Sequence, residues 1–306
     1  MRVAVISGGF SEEQNASRRS GRGIADALEA LGHDVCMIEY DDGLINNLKD
    51  ASPDAAFPIV QGKHHSDGAV QSILALCGIP YVGSRPQAAA LINHKTVCKR
   101  IWRAAGILTP DFFEYSLAEY ENDDFDSFVN KAKAYGLGLP VVVKPPTQGG
   151  RFGMVFVNDV SSFQELAGSF RYDEILLAER YVAGRFFTQG LIEIDGVITA
   201  LPPVEVIDNA TAEFQLFSGD ITVTDHDFSP ARLDEISRTT LLAASLTGAS
   251  GFARLDYHLS DGKLYLLEIN AAPGVMPGYS SLNKCAAAAG YDYHALIGML
   301  LAAAKR

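Results

Sequence analysis

Apolar residues open the chain in an unbroken run, VAVI within RVAVIS at residues 2–7, and glycines follow at positions 8 and 9. A short β-branched run closed by a glycine turn reads as a strand buried on both faces. Ile24, Leu28 and Leu31 then recur at helical spacing up to Gly32, which is a natural stop. The pattern therefore predicts a β-α unit. HDVCMIEY and AAFPIV read as the next two strands, QSILALCG as a helix and IPYVG as a short strand, which makes residues 1–85 an α/β domain.

Beyond residue 85 the texture changes. HKTVCKRIWRAAGI predicts a basic amphipathic helix, the acidic loop ENDDFD follows, and FDSFVNKAKAYG predicts a second helix before the strands VVVK and MVFV. Residues 86–178 are thus expected to form a small α+β unit. The remainder, 179–306, carries antiparallel-looking strands and ends in helices expected at 282–289 and 292–304. No internal repeat or low-complexity tract interrupts it.

Composition narrows the function classes. A chain of 306 residues suggests two or three domains in contact. With 37 acidic against 25 basic residues the formal charge is −12, which disfavours nucleic acid and anionic membrane as partners, and no local basic patch overrides it. Cys36, Cys77, Cys98 and Cys285 are widely spaced, so neither a disulfide framework nor a zinc site is indicated. The opening MRVAVISGG is too short in apolar residues for a signal-peptide core, and no run approaches the roughly 18 residues of a membrane span. A cytoplasmic location is expected.

Two segments carry candidate chemistry. In VVVKPPTQGGRFG, residues 141–153, a strand runs into Lys144 and then a loop with Gly149, Gly150 and Gly153. The lysine precedes the glycines, so this is not a P-loop. Glycines still let backbone N–H groups approach phosphate oxygens while a strand-end lysine supplies a point charge. The plainer alternative is a hairpin with a surface lysine. In GFARLDYHLSDGKLYLLEIN, residues 251–270, Arg254, Asp256 and His258 share one face of a strand, and Asp261-Gly262 marks a turn. A plain two-residue turn would pair Asp256 with Leu267. A longer loop or a bulge would set Asp256 opposite Glu268 and Arg254 opposite Asn270, and this second register is the one expected. Two facing carboxylates need a cation between them, and Mg²⁺ takes one or two carboxylates while phosphates complete its shell.

Taken together, these segments resemble the D-alanine:D-alanine ligases of the ATP-grasp superfamily, along the whole chain. VISGGFSEE, QGKHHSDG with IPYVGS, VVVKPPTQGGRFGM, ARLDY, LLEIN, APG and SSL appear in the family's order. The resemblance implies three domains, α/β and α+β, with a nucleotide cleft between the central and C-terminal units, and ATP with Mg²⁺ or Mn²⁺ as cofactors. It implies that Lys95 and Lys144 contact phosphates beneath the Gly149, Gly150 and Gly153 loop. Glu179 would lie at the adenine pocket, with Arg180, Tyr181 and Val182 along the hinge. Asp256, Glu268 and Asn270 would hold the metal, and Arg254 would stabilise the reacting acyl phosphate. Glu13 would hold the first substrate's ammonium group, while Gly274, Ser281 and Leu282 would meet the second substrate. A homodimer through the first domain is implied as well.

The chain departs from the family on the substrate side. A glutamate-serine-tyrosine triad is reduced to Glu13: Gly150 replaces the serine, with Arg151 beside it, and TAEFQLFSGD offers Phe214 and Phe217 but no tyrosine. Phe186 replaces a ribose-binding glutamate, Gln61 a histidine and Ser66 a glutamate. Arg151 is either a carboxylate receptor or a solvated loop residue. His64 and His65 are adjacent and point apart in an extended loop, which disfavours joint metal ligation. The leading expectation is an ATP-dependent ligase joining small D-amino acids. Alternatives on the same scaffold are a D-alanine:D-lactate ligase or an antibiotic-pathway enzyme that cyclises a modified D-amino acid, as the D-cycloserine-forming ligase does with O-ureido-D-serine. A nucleotide-binding sensor without turnover is the alternative of another class.

Overall fold

The computed structural model describes residues 1–62, 66–208, 221–224 and 227–305. The first sheet is parallel, in the order β2-β1-β3, from β1 (Arg2–Ser7), β2 (Asp34–Glu39) and β3 (Ala55–Pro58). Val3, Ala4, Val5 and Ile6 are wholly buried, as the central strand of a sheet covered on both faces requires. Helices α1 (Gln14–Ala30), α2 (Leu44–Ala51) and α3 (Ala69–Leu76) accompany it. The strand expected at IPYVG shrinks to one bridge residue, Tyr81, which joins Ala56 to Lys305. Pro80 has no N–H to extend the ladder. Two helices follow, α4 (Pro86–Asn93), which the apolar pattern did not reveal, and α5 (Lys95–Ala104).

The second sheet is antiparallel, in the order β4-β7-β5-β6, from β4 (Phe112–Ser116), β5 (Val141–Lys144), β6 (Val155–Val157) and β7 (Ile175–Arg180). It packs against α6 (Leu117–Tyr120), α7 (Phe125–Ala134) and α8 (Val160–Ser169) through a core that includes Phe113, Tyr115, Phe128, Val143 and Leu166. Asp124 and Asp159 cap α7 and α8 by accepting backbone N–H bonds from Ser127 and Ser162. The boundary expected at residue 178 falls inside β7.

The third sheet contains β8 (Arg185–Ile194), β9 (Val197–Ala200), β10 (Val204–Asp208), β11 (Ile221–Thr224), β12 (Phe252–Ser260) and β13 (Lys263–Asn270). Its order is β11-β10-β8-β12-β13, with β9 also paired to β8. Around it lie α9 (Pro230–Thr247), α10 (Ser281–Ala288) and α11 (Tyr293–Ala302). The last two helices bury Leu282, Leu296, Ile297 and Leu300 together with Val3, Ile24 and Phe57, so the end of the chain packs onto its beginning.

The β12–β13 hairpin settles the register. Ser260 pairs with Lys263 across a two-residue turn, yet Asp256 still stands opposite Glu268, because a bulge places Tyr257 opposite Leu266 and skips Leu267. One extra residue thus returns every later side chain on β13 to the other face. Arg254 pairs with Asn270, which puts the polar side chains of both strands together.

Candidate active site

A cavity of about 930 Å³ opens between the three sheets. From the first region Glu13, Gln61 and Ser66 line it, from the second Lys95, Lys144, Gly149, Gly150, Arg151, Glu179 and the Arg180–Val182 segment, and from the third Phe186, Arg254, Asp256, His258, Glu268 and Asn270. Gly274 and Ser281 close one end. Two of the anticipated site residues do not line it. Gly153 packs beside Tyr172 and Pro145, and the Leu282 side chain is fully buried against Gly190. Leu282 can therefore meet a ligand only through its backbone N–H, one of the unpaired amides in the first turn of α10. Ser280 caps the approach by donating its hydroxyl to the Gly274 carbonyl.

On the side of the second sheet, Lys144 leaves β5 and meets Glu179 of the neighbouring β7, with Nζ 2.5 Å from Oε1. Lys99, one turn after Lys95 on α5, holds Oε2 of the same carboxylate at 2.7 Å and also donates to Thr109 Oγ1 at 2.7 Å. Burial would raise the Glu179 carboxyl, but Lys144 and Lys99 outweigh it and hold the group below its ordinary value. Burial also opposes the Lys144 charge, and Glu179 with Glu268 overcomes that and raises it. Lys99 is pulled down, because burial there prevails over Glu179. Sequence reading missed Lys99. It shares a helical stripe with Lys95 and the buried Trp102, while Arg100 and Arg103 on the same basic helix make salt bridges at half-exposed positions.

A face bearing paired carboxylates lies across the cavity. Arg254 makes a two-pronged contact with Asp256, Nε to Oδ1 at 2.9 Å and Nη2 to Oδ2 at 2.8 Å. Thr188 donates to Oδ1 at 2.7 Å and Asn270 to Oδ2 at 3.2 Å, so four donors orient this carboxylate. Burial pushes Glu268 up, yet Lys95, Lys144 and Arg254 together bring it down to about 2. Lys95 Nζ stands 3.9 Å from Glu268 and donates to the Gln148 carbonyl at 2.7 Å. No three His, Cys, Asp or Glu side chains among the described residues form a ready-made metal site. Two facing carboxylates and an amide suit a hard cation whose remaining ligands are phosphate oxygens and water.

At another wall of the cavity the glycine loop presses on Glu13. A Cβ at position 149 would lie 2.3 Å from Glu13 Oε2, so only glycine permits this approach. Gly150 and Arg151 both take left-handed backbone, φ +59° and +60°, which is costly for the arginine. Burial, only partly offset by Lys95, pushes the Glu13 carboxyl above its ordinary range. Gln61 donates to the Ala272 carbonyl at 3.3 Å, and Ser66 contacts Asn93 at 3.2 Å. His64, His65, Phe214 and Phe217 lie outside the described residues.

Comparison with known proteins identifies the family and the fold. Residues 101–302 match the family described as D-ala D-ala ligase C-terminus. The D-alanine–D-alanine ligase of Moorella thermoacetica is 35% identical over 305 residues, covering 97% of each chain. That of Neisseria gonorrhoeae is 34% identical over 315 residues, 99% of this chain and 97% of its own. The crystal structure of the Bacillus anthracis D-alanine–D-alanine ligase complexed with ATP superposes with a TM-score of 0.80 at 30% identity, covering 99% of this chain and 97% of that one. This chain belongs to the D-alanine–D-alanine ligase family and has its ATP-grasp fold.

Proposed function

We propose that the chain is an ADP-forming ligase that activates the carboxylate of a small D-amino acid as an acyl phosphate and joins it to an amine, with D-alanine as the first candidate for both. The observation that carries the reading is the convergence of Lys95, Lys144 and the glycine loop with Arg254, Asp256, Glu268 and Asn270 on one cavity. A divalent cation, Mg²⁺ or Mn²⁺, held by Asp256, Glu268 and Asn270 would neutralise triphosphate charge when bound. Lys95 and Lys144 hold and orient the phosphates, which is most of what phosphoryl transfer asks of a protein. Arg254, already charged and aligned, moves between Asp256 and the developing oxyanion. Glu13 receives the ammonium of the first amino acid, and the free amides of α10 receive the carboxylate of the second. The Gly149–Gly150 loop excludes water from the acyl phosphate.

The same reading includes a division into units 1–85, 86–178 and 179–306 with the nucleotide between the last two, a homodimer through the first, and action in the cytoplasm. No helix among the described residues is long and apolar enough to cross a membrane.

A second reading is favoured by Gly149 and Gly150. A Cβ at Gly150, the position of the family's serine, would lie 2.9 Å from the Phe152 ring and 3.3 Å from the Glu13 carboxyl, and Arg151 brings a guanidinium to the same cavity. A polar, modified D-amino acid cyclised within one molecule suits those changes. Phosphate release with Mg-ATP decides between them across D-alanine, D-lactate and O-substituted D-serines including O-ureido-D-serine. Turnover on D-alanine supports the first reading and turnover only on a modified serine supports the second. Silence across the panel refutes both and leaves a sensor, for which the aligned Arg254 has no use.

A further inference from the structure

We propose that His258 hydrogen-bonds a ribose hydroxyl of the bound nucleotide. The assignment rests on the ATP reading above. His258 lies on β12 two residues beyond Asp256 and lines the same cavity. Two residues along a strand span about 7 Å, which is the step from metal-bound phosphates to the sugar of a nucleotide whose base reaches the Arg180–Val182 segment.

The polar groups at this end of the cavity point to the histidine by elimination. Arg185 and Glu205 also line it, but they grip each other, Nε to Oε1 at 2.8 Å and Nη2 to Oε2 at 2.6 Å. Phe186 stands opposite His258 in the strand register, with ring centroids 5.3 Å apart and planes tilted by 48°, and its side chain has no polar atom to offer. His258 Nδ1 is buried with no hydrogen-bond partner, and no hydrogen bond joins the ring to any described residue. A buried polar atom left unsatisfied is costly, so such an atom in a ligand cavity marks where the ligand supplies the partner. A neutral imidazole offers one donor and one acceptor nitrogen, and a ribose diol returns both. Phe186 fixes the ring from the side.

The test is calorimetric titration of the full chain with Mg²⁺ complexes of ATP, 2′-deoxy-ATP and 3′-deoxy-ATP. His258→Phe is titrated in parallel, because it keeps the ring shape against Phe186 and removes both nitrogens. In the wild type, loss of the contacted hydroxyl is expected to weaken binding about fivefold, the effect of one neutral hydrogen bond. In the variant ATP and both deoxynucleotides are expected to bind alike. Equal binding of all three by the wild type overturns the assignment, and so does a variant that keeps the wild-type preference. The wild-type comparison stands even if the variant misfolds. Failure of Mg-ATP itself to bind would refute the nucleotide reading and this assignment with it, whereas ATP binding without hydroxyl discrimination would refute the assignment alone.

Discussion

Lys99→Met removes one of the two ammonium groups on Glu179 while keeping most of the side-chain volume. Lys99 is fully buried and Glu179 nearly so, at 0% and 4% exposure, which leaves water no room to replace the lost partner. Removing one member of a buried ion pair costs about 3–5 kcal/mol. Lys144 still holds Oε1 at 2.5 Å, which places the loss at the lower end, about 3 kcal/mol. The Thr109 hydroxyl loses its donor as well. Because the penalty comes from the stranded charge, removing both charges should relieve it. In Lys99→Met/Glu179→Leu, Lys144 still faces Glu268, which already helps to hold its proton. Urea unfolding at pH 7.5, followed by both fluorescence and circular dichroism, measures the four corners of the cycle. The double variant should be more stable than the sum of the singles predicts, by at least about 2 kcal/mol. Additivity within about 0.5 kcal/mol would refute the claim that Lys99 and Glu179 act as a buried pair.

Three further outcomes follow from the same geometry. Glu13→Gln should raise the unfolding midpoint at pH 7, because burial lifts the carboxyl above its usual value of 4.5. Such a group favours the folded state most below its unfolded value and loses that contribution as pH rises through the folded one. The gain should therefore shrink toward pH 4 while the KM for the amino acid rises at pH 7; a gain equal at both pH values would contradict the burial argument. Gly149→Ala places a methyl group 2.3 Å from Glu13 Oε2, and the flexible carboxylate should yield. Steady-state kinetics should then show an amino-acid KM raised about tenfold, the loss of roughly one substrate hydrogen bond to a charged group; an unchanged amino-acid KM would separate Glu13 from substrate binding. Glu268→Ala should abolish Mg-ATP turnover and leave circular dichroism intact, and near-normal phosphate release would remove the metal assignment.

The sequence made the site more legible than the scaffold, for physical reasons. Strands β1 and β5 announce themselves because burial on both faces demands unbroken β-branched runs. Helix α9 does not, because its buried stripe is Ile236, Thr240, Ala243, Ala244 and Thr247, whereas Leu241, Leu242 and Leu246 face outward. Its leucines therefore disguise which face is inside. The hairpin shows a different limit. Alternation along β12 correctly groups Arg254, Asp256 and His258, but the turn alone pairs Asp256 with the wrong residue, and only the demand that two carboxylates share a cation selects the bulged register found in the fold.

Lys99 shows what chemistry in one dimension leaves out. Within HKTVCKRIWRAAGI its charge looks like that of Arg100 and Arg103, and nothing local distinguishes a solvated cation from one enclosed on every side. The distinction comes from Glu179, 80 positions later in the chain and on strand β7, whose carboxylate meets two cations at that depth. Arg254 and Asp256 are the opposite case, two residues apart on one strand and mutually aligned before any ligand enters. Their contact also constrains how the site works. The guanidinium occupies an edge of the Asp256 carboxylate, so on the proposed assignment Arg254 and a divalent cation held there would compete for one carboxylate. On that assignment a cation on Asp256 would leave the guanidinium available to the reacting oxygens, which would link the metal and substrate sites through a single carboxylate.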